Sequence, residues 1–227
     1  MSIQIASRGE TIQHEALCFR YGRLRDSQPI RKLLSQGGEL HIASEGRSGD
    51  AIASLIALGQ RHFAEKYCQE ALTKWTSPAL RAPGLHLSFF GRLQANKVRK
   101  VCHWADSIES IDTVRLADRI ARMKSELVHL PRLIMQVNTS REPQKNGCAP
   151  DQAENYLSLF RSTYLLDIRG VMIIPKRGLD PEPDFRWARR FADQNHLEHC
   201  VMGMSNDYAQ AIACGATIIR IGRAVWG

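Results

Sequence analysis

The chain has 227 residues, 44% of them hydrophobic and 24% charged, a balance that suits a folded globular protein and excludes a disordered one. Its 31 Lys and Arg against 23 Asp and Glu give a formal charge of +8, so the expected partner is anionic: nucleic acid, acidic lipid or a phosphorylated small molecule. No window approaches 18 uncharged apolar residues, MSIQIASRGE lacks a basic segment followed by an apolar one, and the cysteines at 18, 68, 102, 148, 200 and 214 never form a C-x-x-C pair, so the expectation is a cytoplasmic protein with reduced thiols, not a membrane-spanning, secreted or zinc-ribbon one.

In chain order, a helix is expected over about 11–36 before the first of eight short apolar runs. The runs are ELHIAS (39–44), RHFAE (61–65), LHLSFF (85–90), SIESI (107–111), RLIMQVN (132–138), IRGVMII (168–174), HCVMG (199–203) and ATIIRIG (216–222). Several are almost continuously apolar, as strands of a parallel sheet covered on both faces are. Between them apolar residues fall at helical spacing, as in Ile52, Leu55 and Ile56, or Val114, Ala117, Ile120 and Ala121. KRGLDPEPD (176–184) reads as a loop entering a helix, and no linker divides the chain. The alternation predicts an α/β fold, a single (β/α)8 barrel over 1–227. An open doubly wound sheet is the alternative.

In a barrel the loops after the strands carry the chemistry. Here they hold Ser44-Glu45-Gly46-Arg47, Glu65-Lys66, Gly91-Arg92, Asn138-Thr139, Pro175, Gly203-Met204-Ser205 and Gly222-Arg223. Gly203-Met204-Ser205 leads into a helix near Asp207, where free N–H groups and a hydroxyl suit a phosphate. The competing interpretation is that Ser205 or Asn206 caps a helix and Gly222 makes a turn. The spacing of HLEH (196–199) has no third ligand for a metal, and Arg186, Arg189 and Arg190 of RWARR form a solvated face opposite Trp187 and Phe191. The basic NKVRK (96–100) has no aromatic-rich sheet beside it, so nucleic acid is not the expected partner.

The segment GMSNDYAQAIACGATIIRIGRAVWG (203–227) is similar to the C-terminal signature of the pyridoxal-phosphate homeostasis protein family (the YggS/PROSC family). ALGQRHFAEKYCQE (57–70), FFGRLQANK (89–97), QVNTS with KNG (136–140, 145–147) and IRGVMIIP (168–175) agree in order, so the resemblance covers roughly 39–227. It implies a barrel like the N-terminal domain of alanine racemase, binding pyridoxal 5′-phosphate at the C-terminal ends of its strands, without an established catalytic reaction. By motif it assigns Ser205 and Gly222 to the phosphate, Arg220 to the pyridine nitrogen, and Met172 and Lys145 to the neighbourhood of the cofactor. The family threonine after Arg-Ile-Gly is Arg223 here, which either grips the phosphate or fills its space.

The main departure is at the first strand. The resemblance places an imine-forming lysine where this chain has Glu45, and a second lysine where it has Arg47. A carboxylate is not an amine nucleophile, and a guanidinium stays protonated. Lys66 follows the next strand, and two arrangements compete: an ion pair with Glu45, which is favoured, or Lys66 as a surrogate nucleophile, a role also open to Lys145. The resulting expectation is a monomeric, non-membrane protein that binds pyridoxal 5′-phosphate weakly and non-covalently, or has lost it. The alternatives are a closed site serving protein or anion interaction and, weakest, a racemase-like enzyme.

Overall fold

A computed structural model describes residues 8–80 and 82–227. The expected helix over 11–36 is two: α1 (Arg8–Arg25) and α2 (Gln28–Ser35). The break follows from Pro29 in the first turn of α2, since a proline has no N–H to continue the ladder of α1 and suits a helix start, while Ser27 before α2 is extended. The strands are β1 (Glu39–Ala43), β2 (His62–Glu65), β3 (His86–Phe89), β4 (Ser107–Ile111), β5 (Arg132–Val137), β6 (Ile168–Ile173), β7 (His199–Val201) and β8 (Ile218–Ile221). Each lies within one of the eight apolar runs.

All neighbours are parallel and in chain order, and β8 pairs with β1, from Glu39 opposite Ile218 to Ile42 opposite Ile221, which closes the barrel and rules out an open sheet. Between strands lie α3 (Gly49–Ala57), α4 (Cys68–Trp75), α5 (Val98–Cys102), α6 (Val114–Met123), α7 (Ala153–Ser162), α8 (Glu182–Gln194) and α9 (Tyr208–Ala213). Ser48 caps α3 by accepting from the Ala51 N–H at 3.3 Å, and Thr113 caps α6 from the Leu116 N–H at 3.3 Å.

After β8 comes the four-residue α10 (Arg223–Trp226), too short to cover the last strand. α1 supplies the missing layer, packing against both α3 and α10. Arg20 ties it there by donating to the Val225 carbonyl at 2.8 Å and the Trp226 carbonyl at 2.9 Å. Among the described residues no helix is long and apolar enough to cross a membrane, and the six cysteines are free.

The apolar core lies chiefly between barrel and helices, where Ile42, Phe63, Phe89, Ile108, Leu133, Val171 and Ile219 are buried. Inside the barrel the apolar part is small, built from Ile134, Met172, Val201 and Ile218. Many other interior positions are polar: His41, Ser88, Ser107, Glu109 and Arg220 are all buried. Of these, Arg220 reaches up to line the site.

Candidate functional site

The loop after β1 is held from below. Ser44 donates its hydroxyl to Glu65 Oε1 at 2.8 Å, Lys74 Nζ donates to the Ser44 carbonyl at 2.5 Å, and the Gly46 N–H donates to Glu70 Oε1 at 2.6 Å. Lys74 also pairs with Glu65 at 2.9 Å and Glu70 at 2.7 Å. Burial pushes the Glu65 carboxyl up, opposed by the Lys74 charge and by donors from Lys74, Ser44 and Trp75. Anchored so, the loop turns Glu45 into a cleft at the C-terminal end of the barrel.

The expected ion pair between Glu45 and Lys66 is not formed, nor does Lys66 line the cleft. Strand β2 ends at Glu65, and alternation no longer directs the next side chain; the exposed Lys66 ammonium sits 5.5 Å from the Tyr67 ring centroid. Its backbone is pinned, since a Cβ on Gly91 would lie 1.8 Å from the Lys66 carbonyl oxygen. Arg47 is exposed too, 5.4 Å from the Trp226 ring centroid. Met172 is buried among Ile134, Val201 and Ile218, one layer beneath Ile174, so it floors the barrel and does not line the cleft.

Beside the β1 loop, the loops after β7 and β8 meet. Gly203 holds φ +97°, and an added Cβ would come 2.6 Å from Ala211 Cβ and 3.2 Å from Tyr208 Cα. Gly203→Ala is therefore expected to lose about 1–3 kcal/mol of stability, measured by urea denaturation. The turn places Met204 N–H on Asp207 Oδ1 at 2.6 Å and lets Ser205 Oγ accept the Ala224 N–H at 3.1 Å. A hydroxyl that accepts there keeps its own proton to donate. Arg223 lies across the mouth, 3.4 Å from Asn206 Oδ1, and Gly222 passes beside Ala43.

The cleft these loops border has a volume of about 620 Å³. Ser205, Arg220, Gly222, Arg223, Lys145 and Glu45 all line it. Lys145 is committed: it pairs with Glu142 at 2.6 Å and donates to the Pro175 carbonyl at 2.8 Å. Arg220 leans over the Phe90 ring with its guanidinium 4.0 Å from the centroid and pairs with buried Glu109 below. Burial pushes the Glu109 carboxyl up, but the Arg220 charge and then His41 hold it down at about 2.

From Glu109 a polar column runs down to the N-terminal mouth. His41 Nδ1 is 3.4 Å from Glu109 and its Nε2 is 2.6 Å from Glu39, which Arg132 grips at 2.8 and 3.0 Å. Burial opposes the charged form of His41, yet hydrogen bonds to Glu109 and Glu39 raise its pKa. His86 and His199 accept from Arg132; burial and then the charges of His41 and Arg132 lower His86 to about 4, and burial and then the Arg132 charge lower His199. Glu39, His41 and His62 offer metal-ligand atoms within 4.8 Å of one another. Arg132 and His41 pair with that carboxylate, so in this structure the column is an ion network. The HLEH histidines diverge, His196 exposed beyond α8 and His199 on the barrel floor.

Residues 45–227 match the family model described as alanine racemase, N-terminal domain. The chain is 32% identical over 238 residues to the pyridoxal phosphate homeostasis protein of Vibrio cholerae serotype O1, covering 100% of this chain and 96% of that one. It is 32% identical over 197 residues to the protein of the same name from Escherichia coli K12, covering 83% and 84%. Among solved structures, PipY of Synechococcus elongatus with PLP bound is 33% identical with a TM-score of 0.81, covering 93% of this chain and 100% of that one. An alanine racemase of Clostridium difficile shares the fold at a TM-score of 0.71 and 11% identity, covering 94% and 56%.

Proposed function

Since this chain belongs to the pyridoxal phosphate homeostasis protein family, with the alanine racemase N-terminal type of barrel, we propose that it is a cytoplasmic, non-covalent binder of pyridoxal 5′-phosphate with no reaction of its own. The observation that carries this reading is the pairing, in one cleft, of a phosphate-type cup at Ser205 with a glutamate at position 45.

The cup fits the cofactor's phosphate. Ser205 has a hydroxyl proton to give, Arg223 stands at the rim, and Lys176 and Arg177 line the same cleft. Arg220 fits the ring nitrogen: a guanidinium does not release a proton, so it presents a donor to an unprotonated pyridine. The fit fails at the aldehyde. Glu45 is no nucleophile, Lys66 lies outside the cleft, and Lys145 spends its protons on Glu142 and two carbonyls. An open cleft also favours binding over the alternative of a closed site.

When bound, the cofactor supplies an electron-withdrawing ring and a reactive aldehyde. The chain's own part is to hold the phosphate, orient the ring and leave the aldehyde unattached. Calorimetry with pyridoxal 5′-phosphate is expected to give saturable binding, abolished in Ser205→Asp, which sets a second anion in the cup. Borohydride treatment of the mixture is expected to leave the intact mass unchanged. A single cofactor-sized increase mapped to Lys66 or Lys145 overturns the non-covalent reading, and no saturable heat overturns the cup.

A further inference from the structure

The two ends of the cleft differ in character, and the glutamate end has no partner among the described residues. Glu45 Oε2 is shielded from solvent with no hydrogen bond, and among the described residues Glu45 enters no ion pair. Several of the nearby cations have other partners, while Lys176 and Arg177 line the same cleft. Lys145 pairs with Glu142, Arg220 with Glu109, Arg223 reaches Asn206, and Arg47 lies over Trp226. Lys74, just beneath the loop, is taken by Glu65, Glu70 and the Ser44 carbonyl.

A carboxylate is an acceptor only, and buried polar atoms in folded proteins nearly always have partners. Glu45 lines the open cleft, so a ligand bound there can supply the donor. We infer that the cleft selects the amine form of the phosphorylated pyridine, pyridoxamine 5′-phosphate, over the aldehyde. This inference rests on the reading of the cleft as a cofactor site. A protonated aminomethyl group brings a positive charge and three N–H donors to Glu45, making a charge-assisted hydrogen bond. The aldehyde brings only oxygen lone pairs, which the carboxylate repels. The hydroxymethyl form, pyridoxine 5′-phosphate, has one neutral donor and falls between them. No bond is made or broken; the discrimination is electrostatic.

Calorimetry of the full chain with the three phosphorylated forms, at one pH and salt concentration, tests this directly. Pyridoxamine 5′-phosphate is expected to bind about 10- to 100-fold more tightly than pyridoxal 5′-phosphate, the ratio that one charge-assisted hydrogen bond supplies. In the isosteric Glu45→Gln variant, with folding checked by circular dichroism, the amine is expected to fall to the affinity of the alcohol. The wild-type comparison stands even if that variant does not fold. Equal affinities, or tighter binding of the aldehyde, overturn this inference and leave the cofactor-site reading intact. No binding of any of the three overturns both.

Discussion

Arg220→Met is expected to destabilise the protein by about 3–5 kcal/mol at neutral pH, because it leaves the Glu109 carboxylate buried with its principal counter-charge removed. The cost is electrostatic and not steric: methionine fills much of the space and keeps an apolar contact with Phe90. Its pH dependence identifies the cause. In the wild type, burial raises the Glu109 carboxyl and the charges of Arg220 and His41 more than offset it, to about 2 against an ordinary 4.5. The folded value is depressed, so this contribution is fully present above about 4.5 and is lost as pH falls towards about 2. His41 runs the other way: its folded value is raised above 6.5, so its contribution is present below 6.5 and fades as pH rises through the folded value. In Arg220→Met the carboxyl takes up a proton more readily, so the gap to wild type should narrow on acidification. Urea denaturation at pH 7 and pH 4.5, with Arg220→Met/Glu109→Gln recovering most of the loss, is the measurement. A single variant within about 1 kcal/mol of wild type at pH 7 would mean that the interior ion network does not hold the barrel.

The eight strands were legible because parallel strands under helices are apolar on both faces, and that leaves compact runs such as IRGVMII and ATIIRIG. The end of the first helix was obscured by the favourable residues on either side of Ser27, although Pro29 marked the break. The polar column was also present in plain sight. Glu39, His41, His62, His86, Glu109, Arg132 and His199 sit at positions whose alternation points them inward, and five of them fall within the first two residues of a strand. Those five alone read as polar strand starts, and His41 and Glu109 as single polar residues within a strand. Only the closed barrel brings them together, because Glu39 and Arg132 are far apart in sequence yet share a forked pair.

The site was legible where a motif is continuous and illegible where it depends on a side chain's direction. Gly203-Met204-Ser205 and Arg220-Ile221-Gly222-Arg223 meet as the sequence suggests, the Ser205 hydroxyl accepting from the Ala224 N–H. Lys66 was the natural partner for Glu45 by order along the chain, being the charge at the next strand end. The lysine that governs the Glu45 loop is Lys74, two turns into α4, where a helix face and not a strand end aims it at Ser44 and Glu65. Such a position has no signature in spacing, because it depends on how α4 rests against the barrel.

That anchoring makes Glu45→Lys the change of largest functional effect. Residue 45 keeps its backbone in place through the Ser44, Gly46 and Lys74 contacts, none of which involves its own side chain. A lysine there enters the same cleft, and Arg220, Lys145 and Arg223 line it. These positive charges, with partial burial, favour the neutral amine, which is the nucleophilic form. Pyridoxal 5′-phosphate is therefore expected to become attached to residue 45, trapped by borohydride as one cofactor mass per chain and mapped by peptide digestion. The ligand preference should invert at the same time, since an amine at position 45 repels the aminomethyl group that a carboxylate attracts. A folded variant that binds the aldehyde in calorimetry yet traps no mass would show that residue 45 does not meet the cofactor's aldehyde. One that binds nothing would show that the Ser205 cup does not hold a phosphate. Glu45 then separates two histories for this barrel: a site whose phosphate end is intact and whose reactive end now takes the amine, or a cleft that keeps only the family's outline.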